Sequence, residues 1–329
     1  MEKIVLSVIV PSYNVEMYIM DLLNSVYADG KEEKRLEMIF VDDGATDNTV
    51  SVIRSSKYAN YEGIIILKKE NGGHGSCINY ALSYVHGKYV RIIDGDDWVN
   101  TSGFEKYLDY LEKADADLIV DSYSKFYVDS KQTELFDGLN KLVGNYSGKI
   151  DPLLRRITGS NHYILMPMIT IKTEALKDSK PIDEKIYYDD AEFNALCIVG
   201  SDTVELINMN VYQYRIGRIG QSTDPTISLK HTDDKVKVIN YVLEIIKSEI
   251  STYKKSYLER YISKTAADCL VTCINAGKRN GVQYSYVCSI DKEILEKNKN
   301  VYALMEKQGK KIVCFRKFKR LFYELYSIK

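Results

Sequence analysis

No apolar run in the 329-residue sequence approaches the ~20 residues that a bilayer-spanning helix needs, so a membrane span is not expected. The six cysteines form no CxxC pair and no metal-finger spacing. Cys269 and Cys273 lie four apart in an apolar stretch, and reduced, buried thiols are expected in place of a disulfide framework. Glycine and proline number only 19 and 5, which argues against long disordered stretches. An excess of one charge is missing too. Lys and Arg total 45 against 46 Asp and Glu, and a net charge of -1 offers no global attraction for nucleic acid, which is not expected as a partner. The chain opens directly into a strand-like run at residues 4–10 with nothing resembling a secretory leader, so a soluble, cytoplasmic protein is expected. GxGxxG and GxxxxGK[ST] are both absent, which weakens dinucleotide and P-loop readings, and no internal repeat stands out.

What is present is an alternation of short β-branched runs with amphipathic stretches. Residues 4–10, 36–41, 63–67 and 89–93 read as strands short and apolar enough to be buried on both faces. Val15, Ile19, Leu22, Leu23 and Val26 recur at helical spacing between the first two, as do Val50, Val52 and Ile53 after the cap-like Asp47. Such alternation predicts an α/β fold with a mostly parallel sheet and flanking helices. Ligands bind such sheets beyond the carboxyl ends of the strands, where Pro11-Ser12-Tyr13-Asn14, Asp42-Asp43-Gly44 and Asp94-Gly95-Asp96-Asp97 stand. A helix over 102–113, strand-like runs at 118–123, 163–171 and 204–215, and a helix after Asp189 continue the domain. Beyond about residue 225 helical spacing dominates, giving a catalytic domain over 1–225 and a helical region over 226–329.

Four segments carry chemistry. In the first, a buried-looking strand runs into Asp94, Asp96 and Asp97, whose charges repel unless a cation sits among them. A hard divalent ion, Mg²⁺ or Mn²⁺, suits such oxygen ligands, while the plain alternative is an acidic turn capping a helix. In the second, Asp42 and Asp43 can accept from a base imide or a ribose hydroxyl, and Tyr13 offers a flat face for stacking or is simply half-buried. In the third, Gly72, Gly73 and Gly75 let a ligand approach backbone N–H groups at a helix N-terminus, and His74 either touches a diphosphate or is an incidental loop histidine. In the fourth, Asp189 and Glu192 have the spacing of a capping pair, which puts Asp190 in the first helical turn, where the helix favours the ionised form a general base needs.

Val8-Ile9-Val10-Pro11-Ser12-Tyr13-Asn14, Val41-Asp42-Asp43-Gly44, Asn71-Gly72-Gly73, Ile93-Asp94-Gly95-Asp96-Asp97 and Asp189-Asp190 together resemble glycosyltransferase family 2, in order and spacing, over roughly residues 1–220. The resemblance implies a GT-A Rossmann-like domain of the bacterial cell-surface or exopolysaccharide type, inverting and metal-dependent. It implies that Tyr13 and Asp43 hold the base, that Asp94 and Asp96 form a DXD motif for ribose and metal, and that Asp190 is the base beside Asp189. Pro11, Asn14, Asp42, Asn71, Gly73, His74, Asn79 and Asp97 complete the expected nucleotide-sugar site, with Arg218 and Gln221 from a later segment. Two departures stand out. Cys77-Ile78-Asn79 replaces the usual Ala-Arg-Asn, so a cation is missing there unless Arg218 supplies it, and Asp189 shortens the usual Glu-Asp by one methylene. Neither QxxRW nor a membrane span is present, so single-sugar transfer from a nucleotide-diphosphate sugar, with uridine the expected base, to a saccharide or lipid-linked acceptor is expected over polymer synthesis.

Two rivals differ in class. A catalytically silent nucleotide-sugar-binding module would not need intact metal and base motifs. A sugar nucleotidyltransferase would release pyrophosphate and normally shows a Gly-rich first turn bearing Arg or Lys, unlike Pro11-Ser12-Tyr13-Asn14. At the far end Phe315, Phe318, Phe322 and Leu325 recur at helical spacing among four basic residues, a pattern suited either to an anionic membrane at the inner face of the plasma membrane or to docking on its own domain.

Overall fold

The computed structural model describes residues 3–218, 221 and 225–326. The chain divides into two compact units, Met1–Ile219 and Gly220–Lys329. A division drawn at residue 225 would fall at the first residue of a helix of the second unit.

In the first unit the elements run β1 (Leu6–Ser12), α1 (Ile19–Val26), β2 (Leu36–Asp42), α2 (Thr49–Ser55), β3 (Ile64–Lys68), α3 (His74–Leu82), β4 (Tyr89–Ile92), β5 (Trp98–Val99) and α4 (Thr101–Lys113). They continue as β6 (Leu118–Tyr127), β7 (Gln132–Phe136), α5 (Gly138–Val143), β8 (Tyr146–Lys149), α6 (Ile150–Ile157), β9 (Ile169–Lys172), α7 (Asp190–Gly200) and β10 (Thr203–Ile216). The strands form one sheet ordered β3-β2-β1-β4-β9-β6-β10-β5, with β7 on β6 and β8 on β10. Strands β3, β2, β1 and β4 are parallel, and β6 pairs β10 in parallel. Antiparallel β9 sits between these two blocks. Every residue of β2 and β4 is buried, as two-sided coverage by helices requires.

Two expectations are corrected here. The run at 163–171 is a strand only from Ile169, because Pro167 lacks an N–H for a ladder and residues Met166–Met168 turn as a 3-10 helix. Asp47 is not the N-cap residue of α2. Asn48 stands at the N-cap with no side-chain bond, while the Asp47 carboxylate, one residue earlier, accepts from the N–H of Thr49, the first residue of the helix, and from that of Glu16.

The core beneath the strand ends contains one fully buried ion pair. Arg91, on β4, donates to Asp121 on β6 at 2.5 Å, to Thr170 on β9 at 3.0 Å and to the Pro167 carbonyl. Burial pushes the Asp121 carboxyl up to about 6 against the pull of Arg91. One cation thus crosslinks three neighbouring strands three residues before Asp94, fixing the direction in which β4 leaves the sheet.

The second unit holds only helices among the described residues: α8 (Pro225–Lys230), α9 (Thr232–Lys247), α10 (Thr252–Ala276), α11 (Tyr284–Lys297), α12 (Lys299–Gln308) and α13 (Lys310–Tyr326), besides a 3-10 turn. Its core is built on Val238, Val242, Leu258, Ile262, Leu270 and Val287, all buried. The six thiols are free, and four of them, Cys77, Cys197, Cys269 and Cys273, are buried as expected. No helix among the described residues is long and apolar enough to cross a membrane.

Candidate active site

Parallel pairing sets β1, β2 and β4 in register, so that Ser12 lies beside Asp42, and Ile9 beside Ile92, just before Asp94. The chain after each strand therefore emerges on one edge. Gly95 lets two of these turns touch: a Cβ there would stand 3.0 Å from the Pro11 carbonyl oxygen and from Val15 Cγ2, and the Gly95 N–H donates to that oxygen at 3.3 Å.

The carboxylates of Asp94, Asp96 and Asp97 offer oxygens within 4.8 Å of one another, and they stand in three different environments. Asp94 is half-buried and accepts from His74 Nε2 at 3.1 Å. Asp96 accepts from Arg218 Nε at 2.6 Å, yet burial and then the charge of Asp94 raise its pKa above the usual carboxylate range. Asp97 is fully buried, accepting from the Tyr212 hydroxyl at 2.5 Å and the Arg215 N–H at 2.7 Å. Its pKa is pushed well up, first by burial and then by Asp96 and Asp94. Asp97 is therefore a strut between this turn and β10.

His74, the first residue of α3, is not an incidental loop residue. Its Nδ1 lies 2.8 Å from Asp189 Oδ2 and its Nε2 3.1 Å from Asp94 Oδ1, joining positions 115 and 20 residues away. Burial opposes its charge, but the two carboxylates outweigh burial and raise its pKa well above that of a free imidazole. A charged imidazole donates from both nitrogens, which suits two acceptors.

Asp189 occupies the N-cap position of α7 without capping it, since its side chain serves His74 instead. Glu192 is not its capping partner either: it accepts from the Asp183 N–H at 2.8 Å, and burial pushes its pKa up to about 8. Asp190 is half-buried in the first turn of α7, as its spacing implied. The helix end does not dominate its charge, however. Burial and then Asp189 raise its pKa to about 6, with His74 pulling the other way. Just upstream, Lys185 and Tyr188 have φ of +56° and +69°, a left-handed backbone that side-chain-bearing residues rarely adopt.

The glycine turn is organised differently from the sequence expectation. Two of its N–H groups are already engaged: Gly72 N donates to Asp43 Oδ1 at 2.9 Å and Gly73 N to Asp43 Oδ2 at 2.8 Å. Lys69 adds a third donor to Asp43 at 2.8 Å, and Asn71 donates to the Asp43 carbonyl. Asp43, buried, thus builds the turn that presents His74. Gly73 has φ +85°, and a Cβ on it would meet the backbone of Lys185 at 3.3 Å, so glycine is required where this turn passes the 182–188 segment. Asn79 clamps the same segment, its amide donating to the Ile182 carbonyl and accepting from the Ile182 N–H.

Asn14, with φ +52°, accepts from the N–H groups of Thr46 and Asp47 and stitches the first two turns together. Asp42 accepts from the Ala45 N–H at 2.8 Å. Tyr13 has 48% of its surface open. Pro11 is partly exposed beside it. Gln221 is buried in the second unit, and Ser222 beyond it lies outside the described residues. Residues that the sequence placed near the site without giving them a role complete the edge. Arg215 donates to the Asp96 carbonyl and Asp21, and its guanidinium lies 4.5 Å from the centre of the Trp98 ring. Tyr212 anchors Asp97, and Lys69 anchors Asp43. Lone Lys, Arg and Tyr residues carry no spacing signal that could have marked them.

A mixed sheet with two parallel blocks, flanking helices and carboxylates gathered beyond its central strand ends is the GT-A class of fold. The chain belongs to glycosyl transferase family 2, whose model matches residues 7–178, more than half of its length, and it is a glycosyltransferase. It is 27% identical over 224 residues to the minor teichoic acid biosynthesis protein GgaB of Bacillus subtilis, a match spanning 67% of this chain and 24% of that protein. The crystal structure of Staphylococcus aureus TarS 1-349 in complex with UDP-GlcNAc superposes with a TM-score of 0.70 at 20% identity, over 98% of this chain and 90% of that one. Mannosyltransferase PcManGT of Pyrobaculum calidifontis, in complex with GDP-Man and Mn²⁺, gives 0.51 at 16% identity, over 98% and 86%. The chain thus spans about a quarter of GgaB.

Proposed function

We propose that this glycosyltransferase moves a single sugar, with inversion, from a UDP-sugar to a hydroxyl of a saccharide or lipid-linked acceptor in the synthesis of a surface or exported polysaccharide, on the cytoplasmic side of the membrane. The observation that carries the proposal is the His74 bridge, which ties Asp94 in the first carboxylate group to Asp189, next to Asp190, and so makes one site of two segments about a hundred residues apart. The polysaccharide assignment draws on the name of GgaB and on the UDP-GlcNAc bound to TarS.

The residues fit a divalent ion. Asp94 and Asp96 supply hard oxygen donors close together, and Asp96 is buried beside the charge of Asp94, which a cation between them would offset. Asp94 and Asp96 would hold it, and Asp97, spent on Tyr212 and Arg215, would not. When bound, such an ion supplies charge neutralisation to the leaving diphosphate. Arg218 shares Asp96 with that site and provides the cation that Ile78 does not. Asp190 takes the proton from the attacking hydroxyl. A carboxyl at about 6 is ionised at neutral pH yet more basic than an ordinary Asp, which is the compromise a general base needs. His74 is a positioning residue: it fixes Asp189 and Asp94 and offsets their charge. Tyr13 stacks on the base, with the Asp42-Asp43-Gly44 edge receiving its imide N–H.

Competition calorimetry in the presence of Mn²⁺ checks the donor. UDP is expected to bind more tightly than GDP by about tenfold, the worth of one charge-assisted hydrogen bond. GDP outranking UDP would remove uridine from the proposal without touching the reaction class.

A further inference from the structure

Within the second unit, α13 carries Lys310, Lys311, Arg316, Lys317, Lys319 and Arg320 before its first acid, Glu324. One side of the helix is committed to the unit's own core. Ile312, Phe315 and Tyr323 are buried, and the Tyr284 ring packs 6.2 Å from Phe315 and 5.5 Å from Tyr323, centre to centre. Arg316 pairs with Asp291 at 2.8 Å, and Lys278 with Glu324 at 2.8 Å. This corrects the sequence expectation that Phe315 lies on the same face as Phe318 and Leu325.

The other side is solvent-facing, its Arg320 lying 3.5 Å from Glu324 one turn on. Phe318, Leu321 and Leu325 are 48%, 64% and 58% exposed, and among the described residues only Met17 is a more exposed large apolar side chain than Leu321. Lys317, Lys319 and Arg320 are exposed among them. On a regular helix Phe318, Leu321 and Leu325 share one face; Lys319, with φ +48° and ψ −124°, interrupts the helix between Phe318 and the two leucines, which the periodicity could not reveal.

We propose that this face docks on the surface of an anionic lipid bilayer, with Phe318, Leu321 and Leu325 entering the boundary between headgroups and acyl chains and Lys317, Lys319 and Arg320 meeting headgroup phosphates. The charge pattern selects this occupant. A second copy docked two-fold would bring the same three cations against themselves. Three apolar side chains are also far fewer than the 20–30 residues a side of a standard protein interface, whereas shallow insertion into lipid needs no complementary shape. The docked side keeps the helix rigidly on its unit, so binding requires no folding step.

Flotation of the full chain tests this with phosphatidylcholine vesicles, with and without phosphatidylglycerol. Binding is expected only with the anionic lipid and should weaken with added salt. Each of K317Q, K319Q and R320Q should lower the partition coefficient about fivefold, and L321S combined with L325S by tenfold or more. These side chains are exposed, so thermal unfolding should match the unsubstituted chain. Equal binding to phosphatidylcholine alone, no flotation at all, or flotation indifferent to these substitutions overturns the proposal. So does a dimer in light scattering that L321S with L325S abolishes, which would assign the face to a second copy.

Discussion

Asp190→Asn is expected to lower turnover by roughly 10²–10⁴-fold while donor affinity stays close to that of the unsubstituted enzyme, because Asn keeps the shape and loses only the basicity. Asp190 sits in the first turn of α7 with its carboxyl raised to about 6 by burial and by Asp189. The base works when ionised, so turnover of the unaltered enzyme should fall as pH drops through about 6 and should level off above it. Asp189 and Asp190 adjoin, and the limb belongs to the pair. Asp189→Asn should cost less. Its amide oxygen still accepts from His74 Nδ1, though the charge that helps keep the imidazole protonated is gone. Its effect comes through His74, not through a helix cap, since Asp189 makes no capping bond. Steady-state kinetics on the two variants decides this, and a dead Asp189→Asn beside a near-normal Asp190→Asn would put the base on the wrong residue.

Asp96→Ala should abolish metal-dependent donor binding in a calorimetric titration with Mn²⁺ and UDP. The carboxylate is close to Asp94, and its partner Arg218 is partly exposed, so removing it strands no buried cation. Thermal unfolding should therefore change little. Asp97→Ala provides the contrast. It strips the Tyr212 hydroxyl and the Arg215 N–H of a fully buried acceptor, and each buried donor left unsatisfied costs about 1–3 kcal/mol. Its expected signature is a lowered unfolding temperature. If Asp96→Ala binds Mn²⁺ and UDP normally, Asp96 is not a ligand.

The strands were legible because each of β1, β2 and β4 is short, apolar and buried on both faces, a pattern that survives without knowledge of neighbours. The strand ends were legible for the same reason, since carboxylates directly after a buried run must leave the sheet. Partners were not. His74 reaches Asp189 across 115 residues, Asn79 reaches Ile182 across 103 and Tyr212 reaches Asp97 across 115, and no local spacing encodes such pairings. Asp43 shows the consequence. Its residue type and position fit a base-binding role, yet its oxygens also serve Lys69, Gly72 and Gly73. In the tail the periodicity gave the helix but not its packing: Phe315 is buried while Phe318 is 48% exposed, and Lys319 interrupts the helix before Leu321 and Leu325.

Product analysis tests the central claim most directly. With a UDP-sugar, Mn²⁺ and a saccharide or lipid-linked acceptor, one UDP should appear for each sugar transferred, and proton NMR of the first product should show the anomeric configuration opposite to that of the donor. Release of pyrophosphate, or a glycoside with the donor's configuration retained, would contradict single-displacement transfer through Asp190.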